Sequence, residues 1–346
     1  MKIDIITGLL GSGKTTFIKH YVRHLAAKGK NVCILVNDYG AISVDMALLN
    51  HEIGDVADLE MVTAGDFDCY LRRTKTKLIQ MAMLGYDRII VEPSGIFDAD
   101  DFYNLLYEEP LDRWYEIGNV ISLVDVNLPE YLSEDLEYLL IAQAATAGKV
   151  VLTKLDMVQE CMKQSQNTGF AQEEVEELKE TLVRHLNRES EHFHCERHFR
   201  TSDILAFDWN TATDAEIDAL ERAGYVRYEL EKRHVEEEGD FETMFYYTVK
   251  KSLDGVKELV QQLFSDEKYG KVMRVKGLFC DSETGDWYML NATKELMDLR
   301  NLSDAGEGAT DSTMRKEVML VIGENLHHEE VNQAFGETRK VLDYEV

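Results

Sequence analysis

Basic residues are scarce in this sequence: 37 Lys and Arg stand against 65 Asp and Glu over 346 residues, a formal charge of −28. Such a surface repels nucleic acid and anionic lipid within the roughly 10 Å that salt leaves unscreened, so neither nucleic acid nor membrane is an expected partner. Cysteine is sparse too. Cys33, Cys69, Cys161, Cys195 and Cys280 are odd in number and scattered, which excludes a dense disulfide framework and reads as reduced thiols. No run approaches the roughly 18–20 apolar residues of a membrane span, and the chain starts in an apolar strand pattern rather than a charged, cleavable leader. A cytoplasmic location is the expectation. There is no internal repeat. What is present is 45% hydrophobic residues, enough for a full core and two domains.

Apolar β-branched runs recur at Ile3–Thr7, Val32–Val36, Arg88–Val91, Val120–Val124 and Lys149–Leu152. Helical patterns lie between them at Thr15–Lys28, Leu71–Leu84 and Leu132–Ala145, and a charged helix, Gln172–Leu186, follows as the last crossover. Alternation of this kind predicts an α/β domain around a mostly parallel sheet, placed at residues 1–224. A charged linker is expected over 225–243. The remainder, 244–346, reads as a smaller α+β domain with strands at Phe245–Val249, Lys271–Cys280, Trp287–Leu290 and Val318–Ile322, a helix at Gly255–Phe264 and a loop at Asp304–Ser312.

The most informative segment is Gly8-Leu9-Leu10-Gly11-Ser12-Gly13-Lys14-Thr15-Thr16, set between the first strand and the first helix. This is the pattern of a P-loop. Glycines let several backbone N–H groups converge on one anion, and the following helix adds the positive end of its dipole. Lys14 is then placed to neutralise the β and γ phosphates and Thr15 to ligate Mg²⁺. A second carboxylate is needed at the end of a neighbouring strand. Glu92, closing Arg88–Val91, supplies it, and the Pro93-Ser94-Gly95 turn behind it gives a backbone amide at Gly95 able to sense a γ-phosphate. Asp125 competes for the same Mg²⁺ role.

Thr153-Lys154-Leu155-Asp156 follows the strand Lys149–Leu152, where many GTPases carry Asn-Lys-x-Asp. A carboxylate at Asp156 accepts from guanine N1–H and its exocyclic amine, whereas adenine offers no such pair, so GTP is preferred over ATP. Thr in place of Asn weakens the contact to the base edge.

In their order along the chain, Gly8–Thr16, Asn37-Asp38-Tyr39-Gly40 with Asp45, Glu92–Gly95, Gln143 and Thr153–Asp156 resemble the CobW-type P-loop GTPases. Met273–Gly277 and Val321–Gly323 resemble that family's smaller C-terminal domain. The resemblance implies a slow Mg²⁺-dependent GTPase serving as a metallochaperone or accessory protein, in which GTP binding and hydrolysis gate the capture and release of zinc or cobalt for a client metalloenzyme. It implies that Asp38, in the first switch, helps to order Mg²⁺, the attacking water or the carried metal. A homo-oligomer is compatible with this reading.

The chain departs from the family where the metal is held. The usual Cys-x-Cys-Cys is here Asp66-Phe67-Asp68-Cys69, so carboxylates replace two thiolates, which shifts preference towards harder ions and weakens Zn²⁺ binding. Asp66, Asp68 and Cys69 form an altered metal site if the segment is extended; otherwise the acids cap the helix that follows. A second group, His192, His194, Cys195 and His198, has metal-competent side chains, yet neither helical nor extended spacing collects all of them. His327-His328 belongs to a helix start. Two other functions stay open: a metal-independent GTPase switch that remodels a protein partner, and a P-loop kinase for a small molecule.

Overall fold

The computed structural model describes residues 1–9, 11–38, 46, 49–50, 53–63, 67–93, 99–155, 172–206, 209, 212–228, 230, 241–294, 296–302 and 317–336. The chain divides into two compact units, Met1–Arg233 and His234–Val346.

In the first unit β1 (Lys2–Gly8) leads into α1 (Lys14–Ala27), followed by β2 (Val32–Asp38), β3 (Asp58–Thr63), α2 (Phe67–Leu84) and β4 (Arg88–Glu92). Then come α3 (Ala99–Leu106), α4 (Leu111–Trp114), β5 (Glu116–Asp125), α5 (Glu134–Ala145), β6 (Lys149–Thr153), α6 (Gln172–His192), β7 (Ile204–Ala206) and α7 (Asp214–Glu221). The strands form one seven-stranded sheet in the order β3-β2-β4-β1-β5-β6-β7, and every pairing in it is parallel. Helices cover both faces of such a sheet, so its central strands are apolar on both sides; β1 is buried from Ile3 to Gly8. Helix α1 buries Phe17, Ile18, Tyr21, Val22 and Leu25, a single stripe at helical spacing, against Ile34, Val36, Ile90, Ile121 and Val151 of the sheet.

The second unit is a five-stranded antiparallel sheet, order β11-β10-β9-β12-β8, made of β8 (Phe241–Tyr246), β9 (Lys271–Cys280), β10 (Trp287–Ala292), β11 (Met297–Asn301) and β12 (Val318–Glu324). Helices α8 (Leu253–Ser265) and α9 (His328–Phe335) pack Val256, Val260, Leu263, Val331 and Phe335 onto it. Helix α8 starts where the Ser252 hydroxyl accepts from the Gly255 amide. Tyr246 and Phe335 stack with ring centroids 3.8 Å apart.

Several boundaries differ from the sequence expectation. Helix α2 begins at Phe67 rather than Leu71, so the backbone at Asp68 and Cys69 is helical, not extended. Acids are favoured in a helix's first turn, which is where Asp68 falls. Helix α6 continues to His192, past the expected end at Leu186. Strand β8 lies over Phe241–Tyr246 rather than Phe245–Val249 because its register is set by β12, with Tyr246 opposite Met319. Strand β3 is an element the sequence pattern hides. Its acids break the apolar rhythm, yet each has a partner on the neighbouring layer: Tyr86 donates to Asp58 at 2.8 Å and Lys77 pairs with Glu60 at 2.8 Å. The expected loop at Asp304–Ser312 and most of the expected linker lie outside the described residues.

Beneath the N-terminal ends of the strands lies a buried polar knot. The Asp4 carboxylate, fully buried, accepts from Arg88 at 2.7 Å, from the Tyr21 hydroxyl at 2.9 Å and from the Asn119 amide at 2.8 Å. Asn119 passes the network on, donating to the Glu221 carbonyl at 3.1 Å and accepting from the Gly224 amide at 2.9 Å. Burial pushes the Asp4 carboxyl up from its ordinary range, with Arg88 and the hydrogen bonds opposing. A buried ion pair is costly to assemble but costlier to halve, because the surviving charge has no replacement for water. Asp4→Ala is therefore expected to destabilise this unit by about 3 kcal/mol or more, with Asp4→Asn, whose one amide oxygen keeps the Asn119 amide and whose NH2 can donate to the Tyr21 hydroxyl oxygen, losing less. Denaturant unfolding of the two variants against the parent checks this.

Candidate functional site

Four neighbouring parallel strands end at one edge of the sheet, and each contributes a residue named in the sequence analysis: Gly8 from β1, Glu92 from β4, Asp125 from β5 and Thr153 from β6. Open α/β sheets place ligands in the crevice beyond these C-terminal ends.

The glycine loop fits its conformation. Gly8, Gly11 and Gly13 have φ of 147°, 81° and 87°, which L side chains avoid. A Cβ on Gly8 would lie 2.4 Å from the Ser12 Oγ and 2.6 Å from the Leu123 carbonyl oxygen, so only glycine closes this turn against β5. Helix α1 begins behind Gly13 with no side-chain cap and no acid in its first turn. Its leading N–H groups and the positive end of its dipole are thus left to an external anion. Ser12 is buried, and its Oγ has no hydrogen-bond partner among the described residues.

Lys14 is 8% exposed, and its ammonium donates to the Gly8 and Leu9 carbonyls at 2.7 and 3.2 Å, which holds it at the rim of the loop. Thr15 Oγ1 donates to Glu92 Oε1 at 3.3 Å across 77 positions of sequence. Glu92 is 5% exposed at the end of β4. Asp125, the competing carboxylate, is turned elsewhere: it accepts the Lys154 ammonium at 2.5 Å and the Asn127 amide at 2.9 Å. The structure therefore brings Thr15 to Glu92 and Lys154 to Asp125.

Thr153 answers the question raised by its replacing Asn. Its hydroxyl lies 2.7 Å from the Ser12 carbonyl and 3.1 Å from the Val124 carbonyl, so its proton is shared inward between the P-loop and β5. The side chain ties the end of β6 to the loop rather than to a base edge. Lys154 follows in the left-handed region at φ 63°, and Leu155 is buried. Gln143 is buried on α5. Leu10, Asp45, Asp66, Ser94, Gly95 and Asp156 lie outside the described residues, as do the side chains of Asn37, Asp38, Asp68 and Cys69, although the backbones of Asn37 and Asp38 end β2 and those of Asp68 and Cys69 open α2.

The His192 group does not converge. His192, His194 and His198 are exposed, whereas Cys195 is buried, its thiol pushed up from the ordinary range by desolvation. Its neighbour Arg197 turns inward and donates to the carbonyls of Ala144, Ala145 and Ala147 at 2.6–2.8 Å, closing the C-terminal end of α5. Cys33 is equally unsuited to metal, buried in β2 with its thiol pushed up to about 12. His327 stands at the start of α9, as expected, without capping it: its Nδ1 lies 2.7 Å from the Lys268 carbonyl oxygen.

One cluster was missed because its members are remote in sequence: His24 on α1 with Asp218 and Glu221 on α7, whose ligand-type atoms all lie within 4.8 Å of one another. Lys28 already serves it as a cation, 2.7 Å from Asp218 and also bonded to Glu221, while His24 Nε2 is 2.7 Å from Glu221. Burial opposes ionisation of Glu221, but Lys28 and His24 outweigh it and hold the carboxyl below its ordinary range. The arrangement clasps α7 to α1.

A glycine loop, an uncapped helix start and a hydroxyl facing a buried carboxylate at the C-terminal edge of a parallel sheet define a P-loop nucleotide-binding protein. The chain belongs to the family described as CobW/HypB/UreG, nucleotide-binding domain, whose model matches residues 2–182. Residues 244–339 match the cobalamin synthesis protein cobW C-terminal domain. Zinc chaperone YjiA of Escherichia coli K12 is 28% identical over 176 residues, covering 46% of this chain and 51% of that protein. Zinc chaperone YeiR of the same organism is 28% identical over 130 residues, 37% of this chain and 38% of that protein. The matches thus span about half of YjiA and less of YeiR. Zinc-regulated GTPase metalloprotein activator 1 of Schizosaccharomyces pombe is 21% identical over 357 residues, covering 94% of this chain and 82% of that protein.

The Thr153 tie yields a direct test. Thr153→Val keeps the shape and removes the hydroxyl proton from two carbonyls, at about 1 kcal/mol for a hydrogen bond of this kind. Nucleotide affinity is expected to fall roughly fivefold with the fold intact. Calorimetric titration beside circular dichroism measures both.

Proposed function

We propose that this protein binds Mg²⁺-GTP, hydrolyses it slowly and couples its nucleotide state to the delivery of a transition metal, zinc foremost, to a client metalloenzyme. The observation that carries the reading is the approach of Thr15 Oγ1 to Glu92 Oε1, 3.3 Å apart, beside a helix start with neither cap nor acid. A hydroxyl and a carboxylate are hard oxygen donors of the kind Mg²⁺ takes, and the buried Ser12 Oγ, which has no partner among the described residues, lies in the loop where a phosphate oxygen would be accommodated.

In this reading the amides from Gly11 to Thr16 cradle the phosphates and Lys14 moves its ammonium from the loop carbonyls to the β and γ oxygens. Thr15 and Glu92 would hold Mg²⁺, which when bound neutralises charge developing on the transferred phosphoryl group. Hydrolysis by positioning and charge neutralisation needs no strong base. Lys154, oriented by Asp125, and Asp156 would read guanine. Asp38 at the end of β2 and Gly95 beyond β4 would respond to the γ-phosphate, because β4 adjoins the loop strand β1 and β2 is the next strand beyond it in the sheet order.

The metal is cargo. Asp66, Asp68 and Cys69 are the residues proposed to hold it, Asp68 and Cys69 from the first turn of α2 and Asp66 just before it, rather than from the extended segment that the sequence suggested; α2 follows β3, which lies next to the switch strand β2 in the sheet order. The relatives named as zinc chaperones and as a zinc-regulated activator support zinc, and the replacement of thiolates by carboxylates predicts a weaker site than three thiolates would give. Competition against a zinc-chelating dye, with GDP and then with a non-hydrolysable GTP analogue, tests the coupling. Zinc affinity is expected to differ at least tenfold between the two states and to fall sharply in Cys69→Ser. Equal affinity in both states would leave the metal-independent switch as the better account.

A further inference from the structure

Strand β3 is the last in the seven-stranded sheet: β2 pairs with one of its edges and no described strand pairs with the other. Beside it, between β3 and α2, is a groove of about 400 Å³ lined by Met61 and Val62 of the strand and by Arg72, Arg73, Thr76, Lys77 and Gln80 of the helix. The helical residues recur at three- and four-residue spacing, so they form one stripe facing the groove.

The stripe is anomalous for this chain. From Cys69 to Tyr86 there is no acid, although 65 of 346 residues are Asp or Glu, and the same stretch carries Arg72, Arg73, Lys75 and Lys77. Two of these cations are engaged by described acids, Lys77 by Glu60 at 2.8 Å and Lys75 by Glu108 at 2.6 Å. Arg72 and Arg73 are exposed, and Arg72 forms no ion pair with a described residue. The strand side of the groove is apolar, its helical wall donates hydrogen bonds and carries positive charge, and at its margin is the strand edge with which no described strand pairs.

We propose that this groove docks an acidic, extended segment of a partner protein, added as a strand along β3 with its carboxylates on the face that carries α2, at Arg72 and Arg73, and its alternate, apolar side chains on the opposite face beside Met61. Strand addition supplies affinity through main-chain hydrogen bonds, and pockets for every second side chain supply specificity. The occupant is a peptide rather than a nucleic acid for two reasons. A phosphate backbone needs a continuous track of cations, and beyond this stripe the chain's −28 charge repels a long polyanion. A short acidic segment meets only the local field. The inference deepens the delivery reading, on which it rests for the partner being a client: α2 also carries positions 68 and 69, one helical turn before Arg72 and Arg73, so docking would bring a client to the proposed metal site.

The test is fluorescence anisotropy on the full chain with no nucleotide and no zinc, so that it succeeds or fails apart from nucleotide and metal chemistry. The probes are a labelled alternating Glu-Val peptide of about twelve residues, its Gln-Val counterpart, the Glu-Val peptide N-methylated at alternate amides, and a labelled single-stranded oligonucleotide. The expected result is that Glu-Val binds at least tenfold more tightly than Gln-Val, that N-methylation weakens it, and that Arg72→Glu/Arg73→Glu loses at least tenfold. Arg72→Gln/Arg73→Gln, a milder change should charge reversal fail to fold, is expected to lose an intermediate amount. Equal binding of the Glu-Val and Gln-Val peptides, indifference to the arginine changes, or uptake of the oligonucleotide in preference to the peptide would overturn the proposal.

Discussion

A helix that begins with neither a side-chain cap nor an acid leaves its first N–H groups to an anion from outside, and α1 of this protein begins that way. The rest of the first unit is arranged around that start. Gly8 closes a turn no Cβ would fit, β1 is held at the centre of the sheet so that the loop opens over its C-terminal edge, and β4 brings Glu92 to Thr15 from the next strand. At the opposite ends of the strands, Asp4 and Arg88 knot β1 to β4 while Asn119 joins β5 to the turn after α7. One end of the sheet is made rigid by a satisfied polar network, and the other is left able to accept charge.

The sequence was most legible where chemistry is local. The P-loop, the carboxylate closing β4 and the run Lys149–Leu152 are contiguous patterns, and their positions follow from strand and helix periodicity alone. Legibility failed where partners are distant in the chain. Asp58 and Glu60 look like breakers of an apolar strand until Tyr86 and Lys77 are seen to meet them, and Asp4 acquires its meaning from Arg88, 84 positions away. His192, His194, Cys195 and His198 show the converse: closeness in sequence suggested a site, but the segment after α6 turns Cys195 and Arg197 inward and leaves the histidines outside.

Thr153 shows how a departure from an expected pattern can be a reassignment of work. Asn at this position would have two polar ends; Thr has one proton to give, and it is directed between the Ser12 and Val124 carbonyls. The segment proposed to read the base is thereby tied directly to the glycine loop, so a disturbance of one reaches the other through a single hydroxyl. The same economy holds at Asp125, which orients Lys154 rather than competing with Glu92.

The central claim is that the loop from Gly8 to Thr16 grips the triphosphate of a guanine nucleotide with Thr15 and Glu92 holding its magnesium. Calorimetric titration with the non-hydrolysable GTP analogue, in magnesium and then in excess chelator, measures this most directly when repeated on Glu92→Gln. The account predicts tight binding by the parent in magnesium, a large loss of affinity in chelator, and a much smaller magnesium dependence in Glu92→Gln. Binding that is absent, or that is equally strong with and without magnesium in the parent, would contradict it.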